Sequence, residues 1–213
     1  LLFNEVPSIW TGVGAIVNTA KVKPGEAVCV FGLGGVGLNA VMGAVLAEAH
    51  PIIAVDPFAD KRDLAKALGA DHVIDPGIGP DATAAAIKDL TGGGVLHAIE
   101  VSGTVKALDA AYRALRPGGT VTIAGLAPAD AKFEIAPYMM AAKEFKLQGC
   151  YMGSCSPAKD IPRFIEHYRA GKLPLERLRT GELPLESINA GFDNLADGTA
   201  IRVTASFGVA SLV

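Results

Sequence analysis

The sequence predicts a doubly wound α/β fold, in which helices cover both faces of a parallel sheet. Two observations support this prediction: short apolar runs alternate with helical patterns along most of the chain, and a cluster of glycines follows the first of these runs at 32–37. Strands that alternate with helices are typical of βαβ units, whose right-handed crossovers build a parallel sheet. Half of the 213 residues are hydrophobic and 19% are charged, a composition typical of a globular protein.

Each of the six predicted strands is a short apolar or β-branched run, and helical patterns separate them. The first, AVCVF at 27–31, is apolar throughout, as expected of a strand that is buried on both faces. The helix after it carries small apolar side chains at helical spacing, and Gly69 is placed to end the next helix. In chain order, the predicted strands are 27–31, 51–55, 72–74, 96–101, 120–124 and 145–151, and the predicted helices between them are 36–48, 60–68, 80–90 and 104–115.

The last part of the chain has a different pattern. Residues 157–170 and 187–195 are predicted helices, and 200–207 is strand-like. Glycine and proline interrupt the stretch between the two helices, so no element is predicted there. Because no flexible linker precedes this part, we expect it to pack against other elements and not to form an independent domain.

Gly32, Gly34 and Gly37 fit the pattern G-x-G-x-x-G, directly after a predicted strand and at the start of a predicted helix. The first glycine permits a tight turn, the second lets a pyrophosphate approach the backbone, and the third lets the helix pack closely on the strand. The N–H groups at the start of the helix and the positive end of its dipole attract phosphates. We expect the N–H groups of Gly35 and Val36 to face them.

An acidic residue follows the glycines at the distance that dinucleotide-binding domains use. Asp56 ends the second predicted strand, about 20 residues after Gly37, where a carboxylate accepts hydrogen bonds from the adenosine ribose. The alternative is a strand-end acid that only caps the next turn. A carboxylate would repel a 2′-phosphate, and the first cations after it are Lys61 and Arg62, so NAD is favoured over NADP.

Composition and charge narrow the class of protein. A net charge of −3, with no run of Lys or Arg, argues against a nucleic-acid binder. No apolar run approaches the roughly 18 residues that a membrane span needs, so no membrane partner is expected. Cys29, Cys150 and Cys155 are an odd number of cysteines, which indicates no disulfide framework and favours a reducing cytoplasm.

Three longer segments carry a resemblance to a known family. They are TGVGAIVNTAKVKPGEAV from Thr11, FGLGGVGLNAVMGAVLAEAHPIIAVDPFADKRDLAKALGADHVID from Phe31, and VSGTVKALDAAYRALRPGGTVTIAGL from Val101. Together they resemble the coenzyme domain of the zinc-dependent, medium-chain alcohol dehydrogenases, and the resemblance extends from about Thr11 to Arg202. It implies a Rossmann fold, with an NAD-binding domain at 9–151 and with 1–8 and 152–213 as partial segments of a second, catalytic domain.

The resemblance also implies which residues hold NAD. The set includes Arg202, which is implied to pair with the pyrophosphate; the alternative is that it is an ordinary surface arginine on an edge strand. The implied set is Gly32, Gly34, Gly35, Val36 and Gly37 for the pyrophosphate turn; Asp56 and Lys61 for the adenosine ribose; Val101, Ser102 and Gly103 for the adenine side and the nicotinamide ribose; Gly125 and Leu126 for the nicotinamide; Met152 for its amide; and Arg202 for the pyrophosphate.

The parent family uses a catalytic zinc, but its ligands are absent from this sequence. The resemblance places a cysteine ligand just before the T-G-V-G segment, where this chain has Pro7, and proline cannot coordinate a metal. The other family ligands and the proton-relaying hydroxyl, which belong to the catalytic domain, have no counterpart here. Cys150, Cys155 and His167 match no known ligand spacing. We therefore expect no metal site in this chain, and we assign no catalytic residue.

The sequence favours the NAD-binding portion of an alcohol dehydrogenase, which transfers hydride between a small alcohol or aldehyde and NAD. It also predicts that this chain alone is catalytically incomplete. Three alternatives stay open. They are a zinc-independent, quinone-reductase-like oxidoreductase that prefers NADP, a non-enzymatic NAD-binding module, and a methyltransferase-like domain that binds S-adenosylmethionine.

The assembly of the chain is also predicted from the resemblance and from its first residues. The family pairs subunits through the last strand of the sheet, here about 146–152, which implies a homodimer or homo-oligomer. The chain opens on the apolar run Leu1-Leu2-Phe3 without an initiator Met. We expect a domain upstream of it, and we expect this run and Ile9-Trp10 to be exposed without that domain and to promote self-association.

Overall fold

Six parallel strands form the central sheet of the structure. This computed structural model describes residues 2–206, with side chains described for 8–195 and 197–206. The strands are β1 (Val28–Phe31), β2 (Ile52–Val55), β3 (His72–Ile74), β4 (Val95–Glu100), β5 (Leu115–Ile123) and β6 (Lys146–Gly149). Their spatial order is β3-β2-β1-β4-β5-β6, and every neighbouring pair is parallel. The predicted doubly wound sheet is confirmed, and its direction of winding reverses between β1 and β4.

Helices connect the strands, and a second small sheet follows them. The α-helices of the described chain are α1 (Leu2–Gly14), α2 (Gly35–Leu46), α3 (Ala59–Ala67), α4 (Pro80–Thr91), α5 (Val105–Arg113), α6 (Pro137–Lys143), α7 (Pro157–Arg169) and α8 (Ile188–Ala196). Strands β7 (Gly181–Pro184) and β8 (Val203–Ser206) pair in parallel. The predicted helices and strands lie within a few residues of these elements, whereas α1, α6 and β7 were not predicted.

The fifth strand differs from its prediction at one end. It was expected at 120–124, but β5 begins at Leu115 and includes the Pro-Gly-Gly segment at 117–119. Leu115 already pairs with Val95, and the pairing register then shifts before the next partners. The segment 117–119 is therefore accommodated as an irregularity within the strand, of the kind that a bulge produces.

The apolar character of β1 follows from its place in the centre of the sheet. Val28 and Val30 pack into one core cluster with α1 and α2, while Cys29 and Phe31 pack into a second cluster with α4 and α5. All four side chains are at most 1% exposed. Because successive side chains of a strand point to opposite faces, helices on both faces bury every position.

Helix α1 corrects one expectation about the start of the chain. Ile9, expected to be exposed, is 3% exposed and packs in the core cluster that α1 and α2 share, and Trp10 is half-buried against the same cluster. The expectation for Ile9 is wrong because α2 of this same chain covers it. The side chains of Leu2 and Phe3, and all of Leu1, lie outside what the structure describes. Since α1 runs unbroken across residue 9, the division into 1–8 and 9–151 stays a prediction.

Candidate functional site

A cleft of about 630 Å³ opens at the carboxyl ends of β1, β2 and β4. Four corners line it: the loop from β1 to α2, the loop from β2 to α3, the turn that leads from β3 into α4, and the loop from β4 to α5. The winding of the sheet reverses at this point, which is where open α/β sheets bind their ligands. The predicted site residues that line the cleft are Gly32, Gly34, Asp56, Lys61, Val101 and Ser102.

The three glycines of the β1–α2 corner have three different surroundings. Gly32 has a φ of +94°, and a Cβ there would lie 2.9 Å from atoms of Ser102. A Cβ on Gly37 would lie 1.7 Å from the carbonyl oxygen of Gly32, so only glycine lets α2 begin this close to β1. A Cβ on Gly34 would meet no heavy atom within 4 Å. The corner is therefore tight on its inner side and open on the side of the cleft.

The N-terminus of α2 lies at this corner, and Arg202 reaches it from a distant part of the chain. The helix begins at Gly35, after the extended residue Gly34, with no side-chain cap. Arg202 Nη2 lies 3.7 Å from the point that a Cβ of Gly35 would occupy, and it donates a hydrogen bond to Ser8 Oγ. The N-terminus of a helix attracts anions, and a guanidinium beside it adds to that attraction.

The Asp56 carboxylate joins two corners of the cleft. Its Oδ2 accepts a hydrogen bond from the Leu33 N–H at 2.7 Å, and its Oδ1 accepts one from the Phe58 N–H at 2.9 Å. Asp56 thus caps the turn after its own strand, which was the alternative interpretation of this residue. It also lines the cleft, as a residue that binds the ribose must. Each carboxylate oxygen has a second lone pair, so both can accept a further hydrogen bond from a ligand.

Glu100, which is not among the predicted site residues, shapes the β4–α5 corner. It is 2% exposed, and its Oε1 accepts hydrogen bonds from the Ser102 N–H at 2.8 Å, the Ser102 hydroxyl at 2.6 Å and the Gly103 N–H at 2.9 Å. Glu100 could have been identified from the sequence, because it is an acidic residue at the end of a predicted buried strand. Thr104 and Lys106, at the start of α5, also line the cleft and were missed.

The residues predicted near the nicotinamide lie outside the lining of this cleft, at the carboxyl ends of β4, β5 and β6. Gly103 and Gly125 are in close contact, since a Cβ on Gly125 would lie 2.3 Å from the Gly103 nitrogen. Leu126 is 85% exposed, and Met152, with a φ of +50°, is 43% exposed at a turn after β6. The structure does not bring Leu126 and Met152 into the cleft, and their role stays a prediction.

The described residues do not assemble a zinc site. Within residues 2–206, no three His, Cys, Asp or Glu side chains lie close enough together to hold a metal. Burial raises the pKa of Cys29 well above its ordinary value, and burial together with the charge of Asp160 raises the pKa of Cys155 to about 11.

In the part of the chain that the structure describes, no helix is both long enough and apolar enough to cross a membrane.

Comparison with known proteins gives a consistent picture. Residues 35–169 match the family described as zinc-binding dehydrogenase. The geraniol dehydrogenase of Castellaniella defragrans is 38% identical over 170 residues, which cover 80% of this chain and 45% of that protein. Alcohol dehydrogenase 1 of Trifolium repens is 37% identical over 195 residues, or 91% of this chain and 51% of that one.

Solved structures agree with these sequence matches. The benzyl alcohol dehydrogenase from Acinetobacter calcoaceticus superposes with a TM-score of 0.87 at 32% identity, covering 93% of this chain and 55% of that chain. An alcohol dehydrogenase zinc-binding domain protein from Burkholderia ambifaria gives a TM-score of 0.86 at 32% identity, covering 92% and 52%. The chain spans about half the length of the relatives it matches.

Proposed function

The chain belongs to the zinc-binding dehydrogenase family, and from this premise we propose that it is the NAD-binding part of an alcohol dehydrogenase. When bound, NAD supplies the hydride acceptor for oxidation of an alcohol and, once reduced, the hydride donor for the reverse reaction. The observation that supports the proposal most is the cleft at the switch point, with an open glycine corner at one side and a buried carboxylate at the other.

The residues of the cleft fit the parts of a dinucleotide. The open side of Gly34, the first N–H groups of α2 and the Arg202 guanidinium suit a pyrophosphate, which carries negative charge and needs close approach to the backbone. Asp56 suits the two hydroxyls of the adenosine ribose, because both of its oxygens have acceptor capacity left. Its negative charge favours NAD over NADP, which argues against a quinone-reductase-like relative that prefers NADP.

Zinc does not fit the residues described. The family's catalytic zinc needs three protein ligands and an open position, and no such group is assembled between residues 2 and 206. We therefore derive no step through a metal for this chain. What its residues do is bind and orient the dinucleotide, while alcohol binding and the activation of the hydroxyl belong to the whole enzyme.

Calorimetric titration of the purified chain with NAD tests this function. We expect NAD to bind and primary alcohols to give no NADH absorbance beyond the blank, with or without added zinc. Absence of NAD binding, or tighter binding of S-adenosylmethionine, would overturn the proposal. Tighter binding of NADP would favour the quinone-reductase-like alternative, and normal alcohol oxidation would show that the chain is catalytically complete.

A non-enzymatic NAD-binding module is the second candidate, and it is favoured because no metal-ligand cluster is found among residues 2–206. The two candidates predict different effects of a family catalytic domain on the formation of NADH from alcohol. An enzyme half gains alcohol-dependent NADH formation when it is produced together with a family catalytic domain, whereas a binding module gains none. We propose the enzyme half because identity to dehydrogenases extends over most of the chain, beyond the cofactor corner.

We also propose a homodimer that forms through the edge of the sheet at β6, and a reducing cytoplasm as the compartment. β6 is the last strand in the spatial order, so one side of it has no neighbouring strand within the described sheet. The three cysteines are free thiols, with Cys29 and Cys150 buried, which is the state that a reducing compartment preserves.

A further inference from the structure

Arg62 is tied to the backbone of the β2–α3 corner. Its Nη1 donates hydrogen bonds to the carbonyl oxygens of Asp56, at 2.7 Å, and Pro57, at 2.8 Å, and it also forms an ion pair with Asp75 Oδ2 at 3.1 Å. The Arg62 side chain is 17% exposed. Asp56 and Pro57 line the cleft, whereas Arg62 itself does not. The guanidinium is therefore next to the proposed ribose site but is bonded to the protein.

Asp75 connects the same guanidinium to the neighbouring corner of the cleft, which follows β3. Its Oδ1 accepts a hydrogen bond from the Gly77 N–H at 2.8 Å and so caps the short 3₁₀ turn Pro76–Ile78, of which Pro76 and Gly77 line the cleft. Its Oδ2 faces Arg62. We call this pair the Arg62–Asp75 clamp. It joins the β2–α3 corner, which carries Asp56, to the turn that leads from β3 into α4.

We propose that the Arg62–Asp75 clamp strengthens the preference for NAD over NADP that Asp56 favours, because it keeps the Arg62 guanidinium paired with Asp75 and not with a group at the 2′-position of the adenosine ribose. This inference rests on the proposed function, because it takes the ribose to lie at Asp56. An arginine beside that ribose accommodates the 2′-phosphate of NADP. Arg62 has the right chemistry and lies at the right corner, but its bonds with Asp75 and two carbonyl groups engage it. Asp75 is a positioning residue in this scheme, since it acts through Arg62.

Asp75→Asn separates the clamp from the turn that Asp75 caps. The amide oxygen can still accept the Gly77 hydrogen bond, so the turn is retained, while the negative charge that holds Arg62 is lost. The guanidinium keeps its two hydrogen bonds to carbonyl groups, but no carboxylate balances its charge any longer, so a phosphate can pair with it. We expect the ratio of the NADP to the NAD dissociation constant to fall by about tenfold, the effect of one charge-assisted hydrogen bond.

The test is calorimetric titration of the whole chain with NAD and with NADP, for wild type, Asp75→Asn and the double variant Asp75→Asn/Arg62→Met. We expect the gain in NADP binding in Asp75→Asn and its loss in the double variant, because the gain requires Arg62. Glu182→Gln is the matched control: it removes the charge of another carboxylate that faces an arginine, Arg179, at 3.8 Å on the small second sheet. The ratio of the NADP to the NAD dissociation constant in Glu182→Gln should equal that of wild type.

Several outcomes would overturn the inference. If Asp75→Asn changes the dissociation constants for NAD and NADP equally, the role of Asp75 is purely structural. If the ratio of the two constants is unchanged, or if the gain in NADP binding survives in the double variant, Arg62 is not the determinant. If Asp75→Asn does not fold, Arg62→Met alone decides: we expect an unchanged ratio, and a selective loss of NADP binding would show that Arg62 already reaches the phosphate. If wild type binds neither nucleotide, the proposed function itself fails.

Discussion

At the scale of single residues, Gly34 and Gly37 differ in what a methyl group would meet. In Gly34→Ala the methyl group would enter open space on the side of the cleft, and the φ of −73° suits alanine. We expect an unchanged melting temperature but a dissociation constant for NAD that is raised about tenfold or more, because the methyl group would occupy the space proposed for the pyrophosphate. Gly181→Ala, also unstrained but on the second sheet, is the control for calorimetry. Unchanged NAD affinity in Gly34→Ala would contradict the placement of the pyrophosphate.

Gly37→Ala tests the same corner from its packed side. The added methyl carbon would lie 1.7 Å from the Gly32 carbonyl oxygen, which is a backbone atom that cannot move without shifting β1 or α2. Overpacking of a core costs about 1–3 kcal/mol, and we expect a loss in the free energy of unfolding at or above the upper end of that range. Urea unfolding, with Gly34→Ala as the comparison, measures it. Equal stabilities of the two variants would show that the corner relaxes.

Residue-scale prediction from sequence succeeded where the contacts are local. The glycine corner and Asp56 follow one another along the chain in a fixed order, so a pattern of spacing placed them in one cleft. The contact between Ser8 and Arg202 joins residues 194 positions apart, and no local pattern could have indicated Ser8. Glu100 could have been found, because a carboxylate at the end of a buried strand must be satisfied by hydrogen bonds.

At the scale of elements, the pair of Glu26 and His97 links the segment before β1 to β4. Glu26 Oε2 lies 2.9 Å from His97 Nε2, and Glu26 also accepts a hydrogen bond from the Lys23 N–H at 2.9 Å. Burial alone would raise the pKa of Glu26, but the hydrogen bonds from Lys23 and His97 and their charges outweigh it and lower the pKa below its ordinary value of 4.5. The ionised carboxylate therefore stabilises the folded state.

This lowered pKa predicts how stability changes with pH. The contribution of Glu26 is fully present above pH 4.5 and is lost as the pH falls through the lowered pKa. We expect Glu26→Gln to be less stable than wild type at pH 7 and the difference to shrink below pH 4.5, as measured by urea unfolding across that range. Glu182→Gln, at an exposed carboxylate, should show no such trend. A difference that is constant with pH would show that the charge of Glu26 is not responsible.

Helix α1 shows why one element escaped prediction. Pro7, Gly12 and Gly14 lower the local preference for a helix, and the segment lacked a clear start signal. Gly12 is needed for packing, since a Cβ there would lie 2.3 Å from the Val36 carbonyl oxygen of α2. The close crossing of two helices thus stabilises a sequence that would be a poor helix in isolation. Strand β7 escaped for a similar reason, because its partner β8 lies about 20 residues further along the chain.

At the scale of the whole molecule, the sequence predicted the sheet well and the later segments less well. The right-handed crossover rule and the alternation of strands with helices leave few arrangements, and the observed order β3-β2-β1-β4-β5-β6 is the one that two βαβαβ halves produce. The rest of the described chain does not repeat such units. Its placement depends on contacts with the first half, such as Arg202 at the glycine corner and α7 against α1, and these have no signature in spacing.

The proposed dimer follows from the two edges of this sheet. β3, at one edge, has three residues, whereas β6, at the other, has four, and Tyr151, which is 78% exposed, and Met152, 43% exposed, follow it. An exposed strand edge beside apolar side chains is a template for pairing with a second copy. We expect wild type to sediment as a dimer at micromolar concentration. Tyr151→Asp should shift the chain to the monomer, because dimerisation would remove the hydration of the new carboxylate at the paired edge.

A matched variant distinguishes this edge from a second exposed aromatic surface, on α8. Phe192 on α8 is 61% exposed and lies beside an apolar pocket formed with the second sheet. If the chain pairs through β6, Phe192→Asp remains a dimer while Tyr151→Asp does not. Phe192→Asp also keeps the NAD affinity of wild type, because Phe192 does not line the cleft. The reverse result would place the contact at α8. A wild-type chain that is monomeric at the same concentration would contradict both, because an exposed apolar surface of either kind would then be tolerated in water without a partner.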